Sequence, residues 1–328
     1  MVTDTSSLIF TCKSEWSNNV YIYILKHFSG RYDTNFSVPV CVLNQAFQRY
    51  VRVTVLRKYL IVLPVMLLFS ACTGLFFQPL KQHFASPEDY GLEYEDIYFK
   101  GRSGLKLHGW WFAGRPSSKG SVLFLHGNGQ NISTHAGLIH WLTRYQYDVF
   151  IFDYRGYGKS EGEANIEGIL EDIQSARNYL AERADVKKMF VVGHSLGASL
   201  AISNLAQYPD GPDGAIFVSP FGNYRKIARE VMSRSWLTWA LQWPVSLGVT
   251  DNYNPEDVVD QLPPVPVLFI YSEQDQMINP RHVLDLYALA TGPGDRSIVG
   301  VKGRHNQIFA EKETRKAIVR YLDQWSEE

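Results

Sequence analysis

Residues 189–200 read Met-Phe-Val-Val-Gly-His-Ser-Leu-Gly-Ala-Ser-Leu, an apolar run that stops at Gly193-His194-Ser195-Leu196-Gly197 and gives way to small residues in a helical pattern. The stretch predicts a strand, a sharp turn carrying one serine, and a helix. Such a turn lifts the serine oxygen into a cleft, and glycines two positions before and after it let strand and helix pass closely.

Working outward, residues 122–125, 149–152, 190–192, 215–218, 267–270 and 297–301 are short apolar runs, and 93–100 with 105–112 read as a hairpin around Gly101-Arg102-Ser103-Gly104. Helical patterns fall at 132–145, 166–183, 200–207, 282–290 and 311–325. Apolar strands alternating with helices predict an α/β fold, a doubly wound, mostly parallel sheet covered on both faces. Its reactive groups are expected at the carboxyl ends of the strands. The stretch 221–262 breaks the rhythm, carries Trp236, Trp239, Trp243 and Tyr253 without a clear strand, and reads as a short helical cap.

The chain has 328 residues, 45% of them hydrophobic and 14% aromatic, enough for one large domain plus an N-terminal addition. With 32 basic against 33 acidic residues and no basic block, a nucleic-acid partner is excluded. Cys12, Cys41 and Cys72 all lie ahead of the region that looks folded, so no disulfide framework or thiolate metal site is expected there. No zinc-protease, Walker or dinucleotide-binding pattern is found.

Arg57-Lys58 precede an apolar stretch over 59–69, followed by Ser70-Ala71-Cys72. Basic, apolar, then small is the order of an export signal, and Leu68-Phe69-Ser70-Ala71-Cys72 resembles a bacterial lipobox, making Cys72 a lipidation candidate. The alternative is an uncleaved anchor over 59–77, about long enough to cross a bilayer. Either way residues 51–78 tether the domain at 79–328 to a membrane, on its extracytoplasmic side. Residues 1–50 are expected to be a disordered tail, or to lie upstream of a native start near Val51 or Val53.

Two further strand ends carry chemistry. Asp275 follows the run at 267–270, with Glu273 as a rival, and His305 follows the run at 297–301. Ser, Asp, His is the chain order of the α/β-hydrolase triad. With Asp153-Tyr154-Arg155-Gly156-Tyr157-Gly158-Lys159-Ser160 and Asp275-Gln276-Met277-Ile278-Asn279-Pro280, the chain resembles the α/β-hydrolase superfamily of serine hydrolases. Within it, the likeness is to small membrane-tethered proteins related to serine aminopeptidase-like and dienelactone-hydrolase-like esterases, and it spans roughly residues 90–325. Ser272 stands where glycine is common and reads as neutral. Arg304 stands beside the histidine, where it would alter the charge of the pocket.

The expected roles are Ser195 as nucleophile, His305 as general base and then acid, and Asp275 as the carboxylate orienting the imidazole. The backbone N–H groups of Leu196 and of Asn128, which follows His126-Gly127, are the expected oxyanion donors. His126 and His194 read as hydrogen-bonding within their turns, and Asp153 and Arg155 as loop braces. The function read from these residues is hydrolysis of a small, lipid-derived or envelope ester through an acyl-enzyme, without metal or organic cofactor. Amide or peptide cleavage by the same triad, and a non-catalytic membrane-tethered binding protein, are the alternatives.

Overall fold

The structure, a computed structural model, describes residues 8–13, 20–25, 76–114, 117–183 and 185–327. Two units are distinguished, residues 1–62 and 63–328. In the first, Leu8–Lys13 and Val20–Leu25 pair as an antiparallel hairpin. Of the leader read at 51–78, only 76–78 belong to the described residues, so Cys72 lies outside them. Among the described residues, no helix is long and apolar enough to cross a membrane.

The second unit is built on eight strands: β1 Glu95–Lys100, β2 Lys106–Phe112, β3 Gly120–Leu125, β4 Tyr147–Asp153, β5 Met189–His194, β6 Gly214–Val218, β7 Val267–Ser272 and β8 Arg296–Val301. Their order across the sheet is β8-β7-β6-β5-β3-β4-β2-β1. Strand β2 runs antiparallel to both of its neighbours, and every other pairing is parallel. The order reverses around β3, where parallel sheets place their sites.

The continuous apolar runs follow from burial of both faces. Successive residues alternate between two cores: Leu123, Leu125, Val191 and Phe217 pack on one face, and Val122, Phe124, Val192 and Ile216 on the other. The first face is covered by α1 (Ile166–Glu182), α2 (Leu196–Gln207) and α5 (Pro280–Leu289). The second is covered by the 132–145 segment and α6 (Lys312–Glu327), through Trp141, Ile318, Leu322 and Trp325. Each large apolar side chain so buried contributes about 1.5–3 kcal/mol. Helix α1 starts where Asn165 accepts from the Gly168 amide at 2.7 Å, a side-chain cap.

The pattern at 132–145 predicted one helix, but the structure breaks it into Ile132–His135, Ala136–Leu138 and His140–Tyr145, the last two being 3-10 turns. Side chains explain the break. The Trp141 indole donates to the Leu138 carbonyl at 2.7 Å and the Thr143 hydroxyl to His140, acceptors that a continuous helix would use for its own N–H groups. Gly137 adds backbone freedom between them.

The stretch 221–262 forms α3 (Tyr224–Ser233), the turn Trp236–Trp239, α4 (Gln242–Gly248) and the turn Pro255–Val258, inserted between β6 and β7. Its inner contact is Met232 against Val245.

Candidate active site

Ser195 is the tip of the turn between β5 and α2, with φ 53° and ψ −118°. Such a backbone in a non-glycine residue costs about 1–3 kcal/mol and persists only where its surroundings enforce it. Here the Ser195 amide donates to Val218 on β6 at 2.8 Å, and its carbonyl accepts from Ala198 and Ser199 as α2 begins. The flanking glycines are sterically required. A Cβ on Gly197 would lie 2.1 Å from the Leu125 carbonyl oxygen, and one on Gly193 would lie 2.5 Å from the Ala198 Cα.

Asp275 and His305 meet over the ends of β7 and β8. The His305 Nδ1 hydrogen donates to Asp275 Oδ2 at 2.7 Å, with both residues buried. The other carboxylate oxygen of Asp275 accepts from the amides of Met277 and Ile278, each at 2.8 Å. Burial alone would raise the Asp275 pKa, but the hydrogen bond and charge of His305 and the two amides hold it below the ordinary carboxylate value. The His305 ring also lies 4.8 Å from that of His194, the residue preceding Ser195, which brings the imidazole to the β5 turn.

Ser272 is not neutral. Its hydroxyl donates to the Gly303 carbonyl and accepts from the Gln274 amide, tying the loop of Asp275 to the loop of His305. Arg304 is exposed and is not among the residues lining the pocket at Ser195, so its expected effect on pocket charge is not seen.

Ser195, Leu196 and Asn128 open on one pocket of about 180 Å³, walled by Phe221, Ile227, Met232, Val245 and Ile278 among others. The Asn128 side chain is engaged in bracing: Oδ1 accepts from the Gln78 amide at 3.1 Å and the Tyr157 hydroxyl at 2.9 Å, and Nδ2 donates to the Phe76 carbonyl at 2.6 Å. Phe76 and Gln78, which the sequence reading assigned to the leader, therefore line the pocket. Their only advance signal was a pair of aromatics at the end of the apolar stretch.

His126 bonds within its turn, Nδ1 donating to the Gly127 carbonyl at 2.8 Å, and it stacks on Tyr154 at 4.1 Å. Complete burial and the neighbouring His135 push its pKa down to about 3, so it stays neutral. His194 does not bond as expected. Its ring packs against His305 and Phe309, and burial lowers its pKa well below the usual histidine value.

Arg155 grips buried Asp172 through Nε at 3.0 Å and through a second guanidinium nitrogen at 2.7 Å, fixing the loop after β4 to α1. Asp153 accepts from the Ile132 amide at 3.0 Å and the Lys159 amide at 3.2 Å, and faces His83 at 2.9 Å and His108 at 3.2 Å. Among the described residues, His83, His108 and Asp153 have ligand atoms close enough to hold a metal ion. The amides already bound to Asp153 mark it first as a loop brace.

Residues 116–263 match the family model of the serine aminopeptidases, S33. The protein YfhR of Escherichia coli O157:H7 is 30% identical over 266 residues, 76% of this chain and 89% of its own. The Saccharomyces cerevisiae protein YNL320W, named a membrane protein, is 26% identical over 240 residues, 71% of this chain and 81% of its own. Among solved structures, the Pyrococcus furiosus esterase Pf2001 superposes with a TM-score of 0.66 at 21% identity, over 76% of this chain and 98% of its own. With its eight-stranded, mostly parallel sheet, its serine turn between β5 and α2 and these relatives, the chain belongs to the α/β-hydrolase superfamily.

Proposed function

We propose that the protein is a carboxylesterase that cleaves acyl esters through a covalent acyl-enzyme on Ser195. The observation that carries the reading is the 2.7 Å bond from His305 to Asp275 beside the strained Ser195 turn. That bond fixes the proton on Nδ1 and leaves Nε2 to accept the serine proton. His305 then returns this proton to the leaving alcohol, and repeats the cycle with water. Asp275, held ionised, stabilises the imidazolium that forms in between.

Negative charge developing on the carbonyl oxygen falls to the backbone N–H groups of Leu196, at the start of α2, and Asn128, whose side chain is occupied elsewhere. Each such donor is worth on the order of a hundred- to a thousand-fold in rate. The apolar pocket of about 180 Å³ is smaller than the roughly 300–1,000 Å³ of drug-sized sites and suits a short acyl group. No step in this sequence calls for a metal or organic cofactor.

The domain is held at a membrane by the segment preceding Phe76, as lipoprotein or anchor, on the extracytoplasmic side. The basic-apolar-small order at 57–72 and the name of the yeast relative support this. The match to the S33 serine aminopeptidases favours a second reading, amide cleavage by the same groups.

A fluorophosphonate probe, applied with and without Ser195→Ala, tests the chemistry, and p-nitrophenyl esters of increasing length against aminoacyl anilides test the leaving group. Labelling that is lost in Ser195→Ala, with ester turnover exceeding anilide turnover, is the expected result. Unchanged labelling removes the mechanism, and anilide preference replaces esterase with aminopeptidase.

A further inference from the structure

The outer face of the cap is apolar where solvent should meet polar groups. Trp236 is 85% exposed, Trp243 61% and Trp239 60%, with Leu237 at 67% and Leu247 at 60%. Trp236 and Trp239 are three residues apart on one turn, and Trp243 and Leu247 are four apart on α4, spacings that put each pair on one side. Every other tryptophan of the described residues, Trp110, Trp111, Trp141 and Trp325, is buried. The cap thus carries the exposed indoles, and a cluster of this kind marks a docking surface.

Three observations identify what docks. Indole rings settle at the boundary between hydrocarbon and headgroups, apolar on one side and donating N–H on the other. The same stretch, 224–247, holds Lys226, Arg229 and Arg234, together with Arg225, which pairs with Asp251 at 2.9 Å, against one acid of its own, Glu230, which pairs with His282 at 3.0 Å. That excess of positive charge around apolar rings matches an anionic lipid surface. Finally, the apolar leader ends beside this cap. Phe76 lines the Ser195 pocket together with Met232 and Val245 of the cap, and Cys72 stands four residues earlier. Four residues span at most about 14 Å, so a tether at Cys72 would hold Phe76, in the lining of the Ser195 pocket, within that distance of the bilayer.

We propose that the cap face carrying Trp236, Trp239 and Trp243 inserts its rings into an anionic lipid bilayer, and that the Ser195 pocket receives its acyl esters from that surface. The substrate half rests on the esterase reading above; the docking half does not. The short pocket takes the acyl arm while the remainder of the ester stays at the lipid interface.

The test uses the full chain carrying Ser195→Ala, mixed with phosphatidylglycerol vesicles containing phosphatidylcholine brominated in its acyl chains. Tryptophan emission is compared with that of the same chain carrying W236S, W239S and W243S. Bromine should quench at least half of the emission that separates the two proteins, and vesicles without phosphatidylglycerol should bind at least fivefold more weakly. Trp236→Lys alone, at the most exposed position, should lower vesicle affinity at least threefold, which keeps the test valid if the triple variant folds poorly. With Ser195 present, the triple variant should hydrolyse a vesicle-dissolved ester at least tenfold more slowly, and a water-soluble short ester within twofold of the parent.

Equal quenching in both proteins overturns the docking. So does a lipid-free dimer, seen by sedimentation and abolished by the triple variant, which would make this face a contact between copies. Because quenching is read on Ser195→Ala, failure of the chemistry leaves it unaffected. Normal docking with equal loss on both esters overturns the substrate half alone.

Discussion

Replacing Asp275 by asparagine changes one atom at the point where the mechanism is most exposed to test. The oxygen of the introduced amide can keep the two 2.8 Å bonds from the Met277 and Ile278 amides, because those donors face one oxygen only. The nitrogen of that amide then faces His305 Nδ1 across the 2.7 Å contact, and both groups would be donors. His305 relieves the conflict by moving its proton to Nε2, the nitrogen that must receive the proton of Ser195. The base is lost while the pocket keeps its shape. A tautomer switch of this kind costs about 10⁴-fold in kcat, about 5.5 kcal/mol of transition-state stabilisation at about 1.4 kcal/mol per decade. Folding stability should fall by only about 1–2 kcal/mol, since the hydrogen-bonding shape is retained. Initial rates with a p-nitrophenyl ester, read beside urea unfolding, separate the two effects. Glu273→Gln serves as the control and should stay within about twofold. A kcat for Asp275→Asn within tenfold of the parent would refute the assigned role.

Gly197→Ala puts its Cβ 2.1 Å from a backbone oxygen of β3, a clash that no rotamer relieves. A loss of about 3 kcal/mol or more in urea unfolding is expected. Ser272→Ala unties the Asp275 loop from the His305 loop. It should cost about 1–2 kcal/mol of stability and several-fold in kcat with KM unchanged, checked by unfolding and steady-state rates. His126 remains neutral in the folded chain down to about pH 3, whereas the unfolded chain protonates it near its ordinary value. The unfolded state therefore binds more protons in between, and stability is full above about pH 6.5 and declines as pH falls, by up to about 1.4 kcal/mol per unit. Unfolding free energies from urea melts between pH 4 and 6 should show a slope about that much shallower in His126→Phe.

Strands were legible wherever both faces are buried, since residues such as Val191 and Val192 enter opposite cores and leave an uninterrupted apolar run. The break at 132–145 was not, because it depends on an indole and a threonine hydroxyl competing for carbonyls, which periodicity does not register. At the site, Asp275 and His305 could be placed at strand ends because each follows a short apolar run directly. The tie made by Ser272, the contact of His194 with His305 and the pocket wall from Phe76 could not be placed. Each joins residues far apart in sequence whose meeting is decided by loop paths. The same holds for the His83, His108 and Asp153 cluster, assembled from three separate segments.

Mass mapping of the acyl-enzyme reads the central claim most directly. The protein is mixed with a slow-turnover p-nitrophenyl ester, quenched in acid within the burst and digested. The account predicts one acyl adduct, on Ser195 in the peptide containing Gly193 to Gly197, absent in Ser195→Ala and accumulating about 10⁴-fold more slowly in Asp275→Asn. Ester turnover with the adduct on any other residue, or with no adduct at all under burst conditions, would contradict it.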